Sequence, residues 1–232
     1  MLRICAIVPA FNEAPEVLQR TLTALMPFVW RIAVVDDGSA ARVATALDGG
    51  FLQRAHGRIA ILRHCLNCGQ GAALQTGMDY AARIGADAVL HFDADGQHDV
   101  SDIPAFVAAI EAGSDVALGS RFLHPEDIAA IPWKRRMLLR MARLVDGLAT
   151  GLWLTDAHNG FRLLNRKAFT AIRLQGNRMS HASEILWLIR KNRLSYSEIP
   201  THITYTDYSA AKGQRAGNAL NILVELLADR LL

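Results

Sequence analysis

Two pairs of carboxylates stand where this chain could do chemistry: Asp93-Ala94-Asp95 and Asp36-Asp37. At the tip of an extended segment, one of Asp93 and Asp95 is expected to serve a ligand and the other a metal. Oxygen ligands of this kind suit magnesium or manganese. As a bare tripeptide before Gly96, the same residues are also an ordinary Asp-rich turn. Asp36 and Asp37 change the balance, because two further acids at a strand end are costly to bury without a donor-rich ligand or a cation.

The elements that must position these acids are legible around them. Apolar runs over 4–8, 32–35, 59–62 and 88–92 read as strands, with amphipathic segments between them, which is the βαβα rhythm of a parallel sheet. Each run ends in a polar or glycine-bearing cluster: Phe11-Asn12-Glu13, Asp36-Asp37-Gly38-Ser39, Asn67-Cys68-Gly69-Gln70-Gly71 and Asp93-Ala94-Asp95-Gly96-Gln97. Open α/β sheets bind ligands at the carboxyl ends of their strands, so these clusters are expected to converge. A fifth run over 115–119 ends in Ser120-Arg121-Phe122, after which the rhythm breaks. From Trp133 the spacing predicts a basic amphipathic helix, with Arg136, Arg140 and Arg143 on one face and Leu138, Met141, Val145 and Leu148 on another. A helix over 180–191, an alternating strand over 196–205 and a helix from about Gly217 follow.

Composition sets the outer bounds. The 232 residues fit one domain, and 51% hydrophobic with 20% charged residues excludes a disordered chain. A net charge of +3 is too slight to mark a nucleic-acid binder. Three cysteines, Cys5, Cys65 and Cys68, make no disulfide framework and point to a reducing compartment, the cytoplasm by default. The opening residues read as a strand rather than a secretion signal, and no run of about 18 apolar residues predicts a membrane span. Cys65 and Cys68 form a CxxC, but a structural zinc site needs four ligands and no second pair is present. Gly69-x-Gly71 lacks both the third glycine of a dinucleotide fingerprint and the ending of a P-loop.

Taken together, Val8-Pro9-Ala10-Phe11-Asn12-Glu13, Val35-Asp36-Asp37-Gly38-Ser39, Asp93-Ala94-Asp95-Gly96-Gln97-His98 and Gly119-Ser120-Arg121-Phe122 resemble family 2 glycosyltransferases. Asn67-x-Gly69-x-Gly71 and Asp156-x-x-Asn159-Gly160-Phe161-Arg162 resemble the dolichol-phosphate-mannose-synthase-like branch. The resemblance implies a GT-A fold, a mostly parallel Rossmann-like sheet flanked by helices. One domain would span 1–232, with a nucleotide-sugar half over 1–122 and an acceptor half over 123–232. It further implies an inverting transfer from a UDP- or GDP-linked sugar, dependent on Mn2+ or Mg2+. Pro9, Glu13 and Asp37 would contact the nucleoside and Asp93 the ribose or diphosphate, with Phe11, Gly71 and Ala94 in the same site. Asp95 and Gln97 become the metal ligands, while Asp36 and Gly38 are expected to form a tight turn. Lys212 resembles a lysine that approaches the diphosphate, although Thr206 stands where relatives usually place an arginine.

Acceptor chemistry decides whether a protein base is required: a sugar hydroxyl must lose a proton, whereas a polyprenyl phosphate is already anionic. Arg121 matches an acceptor-phosphate arginine of the family, and Lys134, Arg135 and Arg136 add cations, although Leu138 and Leu139 stand where serine is common. Glu184, with His181 at i−3 on the same helix face, is either a general base or part of a helix cap. Asp156 is either an acceptor-side carboxylate or the cap of its own turn. Transfer to a glycan hydroxyl and a catalytically silent scaffold at a membrane surface are the alternatives to a phosphate acceptor. A processive synthase is disfavoured because no Gln-x-x-Arg-Trp segment occurs. The expected setting is the cytoplasm, peripheral on the inner membrane face, with a small membrane protein or a second copy as a further partner.

Overall fold

The computed structural model describes residues 2–123, 133, 136, 137, 144, 147, 148, 151–157, 159–176 and 181–202. In chain order the elements are β1 (Ile4–Ala10), α1 (Pro15–Leu25), β2 (Arg31–Asp36), α2 (Val43–Ala46), α3 (Gly49–Arg54), β3 (Ile59–Arg63), α4 (Gln70–Arg83) and β4 (Ala88–His91). They continue with α5 (Ile103–Glu111), β5 (Val116–Ser120), β6 (Arg162–Asn165), α6 (Arg166–Ala171), α7 (His181–Lys191) and β7 (Tyr196–Pro200).

The strand runs are apolar at almost every position because both sheet faces are covered. On β1, Ile4, Ala6 and Val8 pack with Leu18 and Leu22 of α1 and Phe106 of α5. Cys5 and Ile7 face the other way, toward Leu74 and Met78 of α4 and Ile185 of α7. Each leucine so buried contributes about 1.5–3 kcal/mol. Where α4 crosses β1, Gly77 is required by proximity, since a Cβ there would lie 2.2 Å from a methyl of Ile7. Local chemistry sets the helix starts: Pro15 opens α1 with Glu16 in its first turn. Asn165 caps α6 through Ala168 N.

The seven strands form one sheet in the order β3-β2-β1-β4-β6-β5-β7. The pairs β1–β2, β2–β3, β1–β4 and β5–β7 are parallel, while β6 is antiparallel to both β4 and β5. Every strand except β6 therefore ends at the same edge, and β6 begins there. The order reverses between β1 and β4, which makes that gap the topological switch point where such sheets hold ligands.

Two differences from the sequence reading concern the second half. The strand expected over 196–205 is Tyr196–Pro200, and β6 with α6 was not anticipated. β6 is four residues long and carries the fully buried Arg162, so no apolar alternation announces it. Trp133, Arg136, Met137, Leu144, Gly147 and Leu148 are helical, as the spacing predicts. Leu148, expected on the apolar face, is exposed, as are Trp133, Met137 and Leu144. The helix expected from Gly217 lies outside the described residues.

Candidate active site at the carboxyl edge of the sheet

The turn after β2 separates its two acids. Asp36 is wholly buried and accepts from Ser39 N at 2.9 Å and Val43 N at 3.2 Å, with Arg63 also donating to it. Burial pushes its pKa up, but these donors together hold it below the ordinary value. Gly38 adopts φ 75°, and a Cβ there would meet the Leu66 carbonyl carbon at 2.5 Å. The turn expected of Asp36 and Gly38 is therefore present. Asp37 turns onto the segment leading to α4: Oδ1 accepts from Cys68 N at 2.8 Å and pairs with His64 Nδ1 at 2.7 Å, and Oδ2 accepts from Gly69 N at 2.8 Å.

The loop after β1 is tied to this turn, with Asn12 N donating to Ser39 Oγ at 3.0 Å and Ala40 N to Asn12 Oδ1 at 2.9 Å. Pro9 is half-buried and Phe11 is exposed at the edge. A cavity of about 260 Å3 opens here between Asn12, Glu13, Ser39 and Val43. A larger groove of about 880 Å3, between α1 and residues 45–49, contains none of the candidate residues.

Beyond β4, Asp93 and Asp95 diverge. Asp93 Oδ1 accepts from Gln70 Nε2 at 3.0 Å, and Oδ2 pairs with His98 Nε2 at 3.2 Å. The chain passes so close that a Cβ on Gly160 would lie 2.6 Å from Asp93 Oδ2. Burial pushes the Asp93 pKa up, yet His98, His181 and Arg162 hold it below the ordinary value. Ala94 is a spacer: its methyl is buried in the core and its carbonyl accepts from Thr21 Oγ1 at 3.3 Å. Asp95 Oδ1 accepts from Gln97 N at 3.0 Å. Its pKa is raised by burial, then by the charge of Asp93 and further by Glu13, which the Gln97 amide and His98 only partly offset. The charges of Asp93 and Glu13 thus bear on Asp95, with His98 beside them as the partly compensating group.

Some functional neighbours carried no assigned role in the sequence. Gln70 and His98 lie inside the quoted clusters, and only their tertiary contacts show that they hold Asp93. His91 ends β4, fully buried, and neither ring nitrogen has a hydrogen-bond partner among the described residues. Burial, with the nearby charges of Arg162 and His181, drives its pKa down to about 3, so the ring is neutral. A histidine closing an apolar run was the only signal of it.

The acceptor-side candidates form two groups. Arg121 and Asp156 make a bidentate pair: Nε donates to Oδ2 at 2.6 Å and an Nη to Oδ1 at 2.8 Å, with Arg121 N adding a bond to Oδ2 at 3.2 Å. Glu198 of β7 supports the pair by accepting from Thr155 N at 2.7 Å and Asp156 N at 3.3 Å. Glu184 lies elsewhere, accepting from Gln175 N at 2.8 Å and Gly176 N at 2.9 Å. That segment rests on α4, where a Cβ on Gly71 would meet Gly176 O at 2.1 Å and His181 Cβ at 3.0 Å. Gly71 and His181 are therefore packed against each other. Arg136 is helical and half-buried, and Arg135 and Lys212 lie outside the described residues.

The architecture is that of the GT-A glycosyltransferases. It matches glucosyl-3-phosphoglycerate synthase from Mycobacterium tuberculosis, solved with Mn2+ and uridine-diphosphate-glucose, with TM-score 0.61 at 17% identity over 99% of this chain and 79% of that one. Sequence narrows the class: the profile of glycosyl transferase family 2 matches residues 5–173, and the chain belongs to that family. Its relatives place it in the dolichol-phosphate-mannose-synthase-like branch. The chain is 29% identical over 238 residues to the UDP-N-acetylglucosamine–dolichyl-phosphate N-acetylglucosaminyltransferase of Methanococcus voltae, covering 97% of this chain and 94% of that protein. It is 28% identical over 222 residues to the polyprenol monophosphomannose synthase of Mycolicibacterium smegmatis, covering 93% and 82%. With an uncharacterized protein of Methanocaldococcus jannaschii it shares 31% identity over 232 residues, covering 98% and 92%.

Proposed function

We propose that the protein transfers one sugar from a nucleoside diphosphate sugar to a polyprenyl phosphate with inversion, using Mn2+ or Mg2+ held by Asp95 and Gln97. The observation that carries this reading is the placement of Asp93 and Asp95 at the β1/β4 switch point, where burial and then the charge of Asp93 raise the proton affinity of Asp95. When bound there, the ion offsets the negative charge that the departing diphosphate gains. Asp93, oriented by Gln70 and His98, faces the ribose or diphosphate. Pro9, Phe11 and Glu13 line the nucleoside end, and Asp37 shapes that end by holding the segment over 64–69.

A phosphate acceptor is favoured over a sugar hydroxyl because neither acidic candidate is presented as a base. Both oxygens of Asp156 accept from Arg121, and both oxygens of Glu184 accept from backbone amides. An ionised phosphate oxygen attacks the anomeric carbon directly, forming the new C–O bond as the bond to the diphosphate breaks. Arg121, aligned by Asp156, is the cation assigned to that acceptor. Two relatives carry names that specify dolichyl phosphate and polyprenol monophosphate products or acceptors, which supports the same assignment. No helix of the described residues is long and apolar enough to cross a membrane. Exposed Trp133, Met137, Leu144 and Leu148 support contact with a lipid surface.

The test is a donor screen with a short polyprenyl phosphate, read by product mass spectrometry. One donor should yield a glycosyl phospholipid, and Asp95→Ala should lower turnover about 100-fold or more, the scale of losing a charge-stabilising group. Wild-type turnover by Asp95→Ala would refute the metal assignment, and transfer only to free sugars would refute the acceptor.

A further inference from the structure

The turn after β2 and the segment between β3 and α4 together bring up three metal-ligating side chains that the glycosyl-transfer reading does not use as a set. One oxygen of Asp37, one ring nitrogen of His64 and Sγ of Cys68 all lie within 4.8 Å of one another. The CxxC at Cys65 and Cys68 lacks a second cysteine pair in sequence, but the fold supplies an acid from β2 and a histidine from the end of β3 instead. We propose that Asp37, His64 and Cys68 bind a zinc-class divalent ion, with water as the fourth ligand.

Geometry and chemistry both support the site. Zinc bonds of about 2.0–2.3 Å to oxygen, nitrogen and sulfur place tetrahedral ligands roughly 3.2–3.8 Å apart, so ligand atoms within 4.8 Å of one another need shifts of at most about 1.5 Å. The 2.7 Å contact between His64 Nδ1 and Asp37 Oδ1 is where the ion enters, replacing the proton shared there. The groups behind the ligands are also in place. His64 Nε2 pairs with Thr76 Oγ1 at 2.9 Å, which suits a ring that ligates through Nδ1 and carries its proton on Nε2. Cys68 N and Gly69 N fix the Asp37 carboxylate from behind. Cys68 is half-buried, whereas Cys65 is exposed and outside the cluster. Sulfur and imidazole select zinc or cobalt, unlike the carboxylate and amide oxygens of Asp95 and Gln97. The ion would clamp the segment that leads to Gln70, the residue that donates to Asp93.

The experiment is titration of the chelator-stripped full chain with Co2+, followed by displacement with Zn2+. Expected are one ion per chain, a thiolate-to-cobalt charge-transfer band in the near ultraviolet and the visible spectrum of a four-coordinate ion. Cys68→Ser should abolish the charge-transfer band, and His64→Gln should weaken binding more than tenfold, with circular dichroism confirming that both variants fold. Thr76→Val, which removes only the outer hydrogen bond, should weaken binding about tenfold. Cys65→Ser and Asp95→Ala should leave the band unchanged, which separates this site from the one assigned to Mn2+ or Mg2+. Absence of the band in the saturated wild-type protein overturns the proposal, as does a band that survives Cys68→Ser or disappears only with Cys65→Ser.

Discussion

Arg121 and Asp156 form a buried bidentate pair, and that pairing has an energetic signature. Their side chains are 10% and 1% exposed, so removing either takes a bidentate counter-ion from a buried charge. Arg121→Ala should cost about 3 kcal/mol or more in urea unfolding. The double variant Arg121→Ala with Asp156→Ala should cost clearly less than the sum of the singles. Additive losses would show that the two do not depend on one another. In sequence, Arg121 and Asp156 were both legible as candidates, because each sits in a recognisable local cluster. Their partnership across 35 positions was not, because only the sheet brings the end of β5 beside the segment that leads into β6. Asp37 and Glu184 show the same limit: residue type flags an acid, but backbone amides from distant segments decide whether its oxygens face a ligand.

At the scale of the elements, β1 to β5 were readable because two-sided burial writes unbroken apolar runs, whereas β6 is too short and too charged to do so. Asp115 holds this less legible half together. Its carboxylate accepts from Lys167 Nζ at 2.7 Å, Ser195 N at 3.0 Å and Asn165 Nδ2 at 3.0 Å, joining β5, the end of β6, α6 and the approach to β7. Burial raises its pKa, but these donors outweigh it and bring the value down to about 2. A carboxyl depressed on folding contributes stability that is fully present above the ordinary value near 4 and is lost as pH falls toward 2. The contribution is up to about 2 kcal/mol. Asp115→Asn should therefore lower stability at neutral pH and flatten its decline between about pH 4 and 2. A wild-type slope retained in that variant would place the acid sensitivity elsewhere.

For the molecule as a whole, one polarity explains why separate loops meet: six strands end at one edge, so every motif after a strand is delivered to the same place. The exposed apolar residues are the counterpart on the second half. Trp133, Met137, Leu144 and Leu148 recur at i, i+4, i+11 and i+15, all helical and all open to solvent. Exposed apolar side chains at helical positions are the kind that enter the boundary between headgroups and acyl chains, which supports the proposed membrane contact. Flotation with liposomes should carry the protein upward, and Trp133→Ser with Met137→Ser should reduce the bound fraction several-fold. Equal flotation of that variant would assign membrane contact to another surface.

The reversed direction of β6 brings Asp156 and Gly160 to the edge on a single short tether. Asp156 grips Arg121, and four residues later Gly160 lies against Asp93, a span of at most about 14 Å. In the proposed reaction one end of that tether answers to the lipid phosphate and the other to the nucleotide, so occupancy at either end biases the other. Such linkage is reciprocal by thermodynamic necessity. Calorimetric affinity for the nucleoside diphosphate should therefore differ by the same factor with and without a short polyprenyl phosphate as the lipid's affinity differs with and without nucleotide. Two affinities that ignore each other would show that the tether carries no message.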